Sequence, residues 1–108
     1  MNDLPQSVYL ERAEATLAAL ESAADAADLD SKREGGVLTL ELDSGQQVIV
    51  NLQPAIQELW LASRMGAYHF RHDGADWRDT REGRGFGELV AEALAGLAGP
   101  KLDLSALA

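Results

Sequence analysis

The chain has 108 residues, 46% of them hydrophobic, with no cysteine and a formal net charge of −9. That length suits one domain, spanning residues 1–108, built around a single two-layer core. The missing cysteines exclude disulfides, thiolate nucleophiles and cysteine-held clusters, and no apolar run is long enough to span a membrane. Charge is unevenly spread. Residues 1–43 hold ten acids against Arg12, Lys32 and Arg33, net −7; residues 44–85 balance five acids with five arginines; residues 86–108 hold three acids and Lys101, net −2. A field of that sign favours cations or a basic protein partner and repels nucleic acid. Met1-Asn2-Asp3 carries neither the basic region nor the apolar core of a secretory signal, so a cytoplasmic protein is expected.

A first helix is predicted to begin between Leu4 and Ser7, capped by Asn2 or Asp3 with Pro5 in its first turn. Tyr9, Ala13, Thr16, Leu20 and Ala24 share one face at 100° per residue, with Leu17 at its edge. Glu11, Glu14, Glu21, Asp25 and, if the helix persists, Asp28 fall in an adjacent arc of roughly 100°. Asp25 to Gly36 reads as a loop. Strands then follow at Val37–Leu42, with Leu38, Leu40 and Leu42 inward, and at about Gln47–Asn51 after an Asp43-Ser44-Gly45 turn. A third strand, Glu58–Ala62, puts Leu59 and Leu61 on one face and Trp60 on the other. Ala67–Arg71 and Asp76–Asp79 complete an antiparallel meander through the Asp73-Gly74 turn. A second helix, Phe86–Leu97, ends at Gly99-Pro100, and Leu102, Leu104 and Leu107 of the tail are expected to pack back on the helices. The expected fold is α+β: a two-layer α/β sandwich, with both helices on one face of an antiparallel meander and the other face open.

Little in the chain points to catalysis. No serine stands in a nucleophile-elbow pattern. His69 and His72 diverge across a strand and its turn, so they read as ordinary half-exposed side chains rather than ligands of one metal. Gly83-Arg84-Gly85-Phe86-Gly87 lacks the lysine and spacing of a phosphate loop, and Asp28 to Arg33 starts like a calcium loop and then fails. Two surfaces remain. The carboxylate stripe offers hard oxygen ligands on a helix flank, which suits a weak and unselective metal site. From Gly35 to Trp60, the neutral polar Asn51 and Gln53 stand out in a nearly uncharged stretch, and Gln57, Glu58 and Trp60 complete a surface suited to contact rather than chemistry.

This arrangement resembles the frataxin family, in its small bacterial members. The resemblance runs from Val8 to about Leu97 and rests on Gly35-Gly36-Val37-Leu38-Thr39, Val50-Asn51-x-Gln53 and Leu59-Trp60-Leu61-Ala62. Gly66-x-Tyr68-His69-Phe70, Trp77 and Arg81-x-Gly83 follow in order. It implies a non-enzymatic, iron-binding regulator of iron–sulfur cluster assembly that acts on a cysteine desulfurase and a scaffold protein. It also implies weakly held Fe²⁺ or Fe³⁺ on a ridge of Glu11, Glu14, Glu21, Asp25, Asp28 and Asp30, and partner contacts through Asn51, Gln53 and Trp60. No nucleic acid or membrane partner is expected, and the protein is expected to be a monomer. The chain departs from the family pattern where Leu17, Ala18, Ala24 and Ala26 dilute the ridge, and at Lys32, Leu52 and Glu58. An iron store or carrier, and an acidic interaction module with no metal role, are the competing readings.

Overall fold

The computed structural model describes residues 4–107. Eight principal elements follow one another: α1 (Gln6–Ala26), β1 (Asp30–Glu34), β2 (Val37–Glu41), β3 (Gln47–Gln53), β4 (Glu58–Ser63), β5 (Gly66–His72), β6 (Trp77–Asp79) and α2 (Phe86–Gly96). The strands form one antiparallel sheet in the order β1-β2-β3-β4-β5-β6. This is the expected α+β sandwich with one strand more than the sequence pattern resolved.

Strand alternation sets the two faces. Leu38, Leu40, Val48, Val50, Leu59, Leu61 and Phe70 point inward and are buried. Against them α1 lays Tyr9, Ala13, Thr16, Leu17, Leu20 and Ala24, and α2 lays Phe86, Leu89, Val90, Ala93 and Leu94. Leu17, expected at the edge of its face, is fully buried. The tail behaves as expected: Leu102 is buried, and Leu104 and Leu107 pack against the core. No helix among the described residues is long and apolar enough to cross a membrane.

Five local expectations need correction. Asp30–Glu34, read as loop, is the edge strand β1, paired with β2 through a turn in which Gly35 has φ 57°. Its polar sequence hides it, because an edge strand with little core beneath it shows no apolar alternation. The helix does not persist to Asp28. Asp28 adopts φ 56° while its N–H and that of Leu29 return to the carbonyls of Asp25 and Ala24, closing α1 in a Schellman motif. The same bonds end α2 from Ala98 (φ 57°) and Gly99, so Ala98, not Gly99, takes the left-handed position. At the other end, Pro5 is the N-cap of α1, and the expected caps Asn2 and Asp3 lie outside the described residues. Finally, His72 is buried at 7% exposure, because β5 runs on to it and alternation turns its ring inward.

Candidate functional site

The helices leave the opposite side of the sheet open. Register carries Asn51 of β3 opposite Trp60 of β4, and Trp60 opposite His69 of β5; Gln53 pairs with Glu58 one step along the same two strands. The three partner residues expected from the sequence, Asn51, Gln53 and Trp60, therefore lie together on one face. All three are half-buried. Gln53 Nε2 donates to Asn51 Oδ1 at 2.7 Å, which holds the two amides side by side.

Trp60 is held on both flanks. Its indole stacks on the His69 imidazole with centroids 4.1 Å apart and planes 7° from parallel. Its Nε1–H donates to Glu58 Oε1 at 2.8 Å. The same carboxylate lies 3.7 Å from His69 Nδ1 and 4.0 Å from Arg71 Nη1, and Arg71 also donates to the Ile56 carbonyl at 3.1 Å. Glu58, Trp60 and His69 thus form a preorganised platform, its aromatic pair exposed on one side and its polar edge satisfied. A rigid aromatic with a satisfied polar tip suits an interface anchor, since little side-chain freedom is left to lose on docking. His69 was read from the sequence as an ordinary half-exposed residue. The missed signal was the three-residue advance from Gly66 to His69 that matches the retreat from Ser63 to Trp60 across a tight turn.

Gln57 does not belong to this surface. In a left-handed conformation (φ 52°), it turns its amide to α1, accepting from the Leu4 N–H at 3.0 Å and donating to the Leu4 carbonyl at 2.7 Å. Gln6 adds a bond to the Pro54 carbonyl, and Tyr9 donates its hydroxyl to the Glu58 carbonyl at 2.7 Å. The start of α1 is thereby stitched to the segment that presents Glu58 and Trp60.

The acidic residues are arranged differently. Glu11, Glu14, Glu21 and Asp25 stand on α1, Asp28 in the turn after it and Asp30 at the first position of β1. Glu21 is half-buried and the others are exposed. Glu14 is ion-paired with Arg33 of β1, so one of the six carboxylates is already partnered. Among the described residues no three metal-capable side chains converge on one point. Carboxylate oxygens suit iron by hardness, but spread along a flank they would leave most of its coordination to water. The donor set fits a labile surface ion and not an enclosed one.

The family model of the frataxin-like domain matches residues 2–99. The chain belongs to the frataxin-like family. Among curated relatives, the iron–sulfur cluster assembly protein CyaY of Paraburkholderia phymatum is 46% identical over 104 residues, covering 94% of this chain and 99% of that protein. The protein of the same name from Variovorax paradoxus is 47% identical over 97 residues, covering 83% of this chain and 88% of that protein. Among solved structures, the frataxin from Psychromonas ingrahamii superposes with a TM-score of 0.86 at 23% identity, over 94% of this chain and 99% of that one, which speaks for the fold. A trimeric yeast frataxin complexed with ferrous ion gives a TM-score of 0.64 at 24% identity, over 89% of this chain and 88% of that one. This frataxin-like chain keeps the α-sheet-α order with an open sheet face.

Proposed function

We propose that this protein is an iron-responsive regulator of iron–sulfur cluster assembly, which docks on a complex of cysteine desulfurase and scaffold protein. It works as a cytoplasmic monomer and by binding, with no catalysis of its own. The observation that carries the reading is the stacked Trp60–His69 pair beside Asn51 and Gln53 on a sheet face that no helix covers. Relatives at 46% and 47% identity bear the name of cluster assembly proteins, which supports the choice of partner.

Two surfaces divide the work in this reading. The platform anchors: a rigid aromatic amid neutral amides buries apolar area without stranding a charge. The acidic flank steers. Exposed carboxylates contribute mainly to encounter rate, and their reach is about 8 Å at physiological salt. Fe²⁺ or Fe³⁺ held weakly along Glu11, Glu14, Glu21, Asp25, Asp28 and Asp30 would cancel part of that field. Iron would then tune the contact with the desulfurase instead of being delivered as stoichiometric cargo.

The test is stopped-flow or surface-based binding to a cysteine desulfurase across a salt series, with and without Fe²⁺. Association is expected to slow as ionic strength rises while dissociation changes less. Because Glu14 is tied to Arg33, charge reversal is best made at Glu11, Glu21 and Asp25, and the triple lysine variant should lose most of the salt dependence. An association rate indifferent to salt, or no binding, would refute the proposal. Stoichiometric iron loading with self-assembly would favour a store or carrier.

A further inference from the structure

The helix side of the sheet holds an unused pair of donors. His72 closes β5 with its ring edge-on to Trp77, centroids 5.0 Å apart at 88°. Its Nδ1 accepts the Gly74 N–H at 3.0 Å, so Nδ1 carries no proton and the neutral ring has its N–H at Nε2. Every sealed side-chain nitrogen and oxygen among the described residues has a hydrogen-bond partner. Nε2 has none there, so it meets open space although the residue is only 7% exposed.

Beside His72 lies a notch of about 150 Å³ lined by Arg12, Ala15, Thr16, His72, Trp77 and Ala106. Thr16 offers no free donor: its hydroxyl accepts from Trp77 Nε1 at 2.9 Å and donates to the Arg12 carbonyl at 2.9 Å. Arg12 is the one cationic side chain in the lining, and it makes no ion pair among the described residues. The nearby carboxylates are engaged elsewhere, Asp73 and Asp76 lying 3.6 and 3.1 Å from Arg78. Among the described residues of the tail, Ala106 lines the notch.

We propose that this notch binds a small tetrahedral oxyanion, free phosphate or sulfate, between the Arg12 guanidinium and the His72 Nε2–H, with Ala106 of the tail alongside. A charged fork and a fixed neutral N–H facing one small space are what such an anion needs, since the guanidinium can pair two of its oxygens. The chain's overall charge opposes the anion at long range, but screening confines that field, so local donors decide and a millimolar affinity is expected. Occupancy would join α1, β5 and the tail through one ion. The bound state would also favour a protonated His72, which burial and then the Arg12 charge otherwise disfavour.

The test titrates inorganic phosphate into the iron-free chain at pH 7.5 and constant ionic strength, balanced with sodium chloride. His72 ring protons are followed by NMR and melting by circular dichroism. Saturable His72 shifts are expected, with a rise in Tm of roughly 6 °C at ten times the half-saturating concentration. Sulfate should act alike. Arg12→Gln lies outside the core and should fold, yet weaken the His72 response at least tenfold, whereas Arg12→Lys should recover part of it. A response equal to that of chloride alone, or one that Arg12→Gln leaves intact, would overturn the proposal.

Discussion

Replacing Trp60 by alanine separates the platform's two roles. The substitution removes a parallel stack on His69 and the donor of a 2.8 Å bond to Glu58. A stack of this kind contributes about 0.5–1.5 kcal/mol beyond its buried area. The hydrogen bond adds about 1 kcal/mol, less whatever water restores at a half-exposed site. Trp60→Ala should therefore destabilise the fold by about 2 kcal/mol, a fall in Tm of roughly 9 °C for a domain of this size. It should weaken binding of the folded protein to a cysteine desulfurase by a further 2 kcal/mol or so. Urea unfolding should be followed by far-UV circular dichroism, because Trp77 keeps fluorescing in the variant. A double-mutant cycle with His69→Ala isolates the stack and should give a coupling of about 0.5–1.5 kcal/mol. A coupling under about 0.3 kcal/mol would mean that the stack is not maintained in solution. Unchanged affinity in the folded fraction would assign the indole to the sheet rather than to a partner.

Asp79 accepts the N–H groups of Arg81, Glu82 and Arg84 at 2.9, 2.9 and 2.6 Å, so Asp79→Ala should cost about 2–3 kcal/mol by chemical denaturation, and Asp79→Asn about half. Burial pushes its carboxyl up, but the three N–H donors outweigh this and hold it below the ordinary value; its contribution is full above about pH 4 and is lost as pH falls through the lower folded value, where parent and variant should converge. Burial and then Arg12 lower the His72 pKa; the unfolded chain thus takes up more protons, and stability should fall as pH drops from about 7 through 6 in low-phosphate buffer, a slope that His72→Gln should flatten. Changing Glu11, Glu21 and Asp25 together to alanine should lower iron binding in a chelator competition and leave Tm unchanged or higher, since alanine favours helix and like charges are removed; nanomolar affinity in the parent would contradict a peripheral site. Ala98→Gly should stabilise by about 0.5–1 kcal/mol at its left-handed position, whereas Gly99→Ala should destabilise, because the new Cβ would sit 2.8 Å from Leu42 Cδ2 and 3.2 Å from the Leu94 carbonyl; equal melting temperatures for the two would refute the Schellman end.

The sequence by itself determined the elements that carry their own period. Leu38 and Leu40, Val48 and Val50, and Leu59 and Leu61 alternate because one sheet face must be apolar, and the same alternation turned Trp60 outward. The buried faces of both helices were legible at 3.6-residue spacing, and Gly45 and Gly74 mark turns where φ is 90° and 102°. Tertiary structure decided whatever depends on partners distant in the chain. β1 is a strand only because β2 offers it a ladder, and the same pairing brings Arg33 to Glu14, removing one carboxylate from a stripe that looked continuous. Gln57 looked like surface until the start of α1 claimed its amide, and His69 looked ordinary until register set it on Trp60. His72 was turned inward by a strand that ran one residue further than its local pattern suggested, beside a Trp77–Thr16 bond that spans 61 residues. Local patterning fixes which side chains are buried, because burial follows a residue's own period; contacts across strands and between layers depend on register and docking, which no short window of sequence contains.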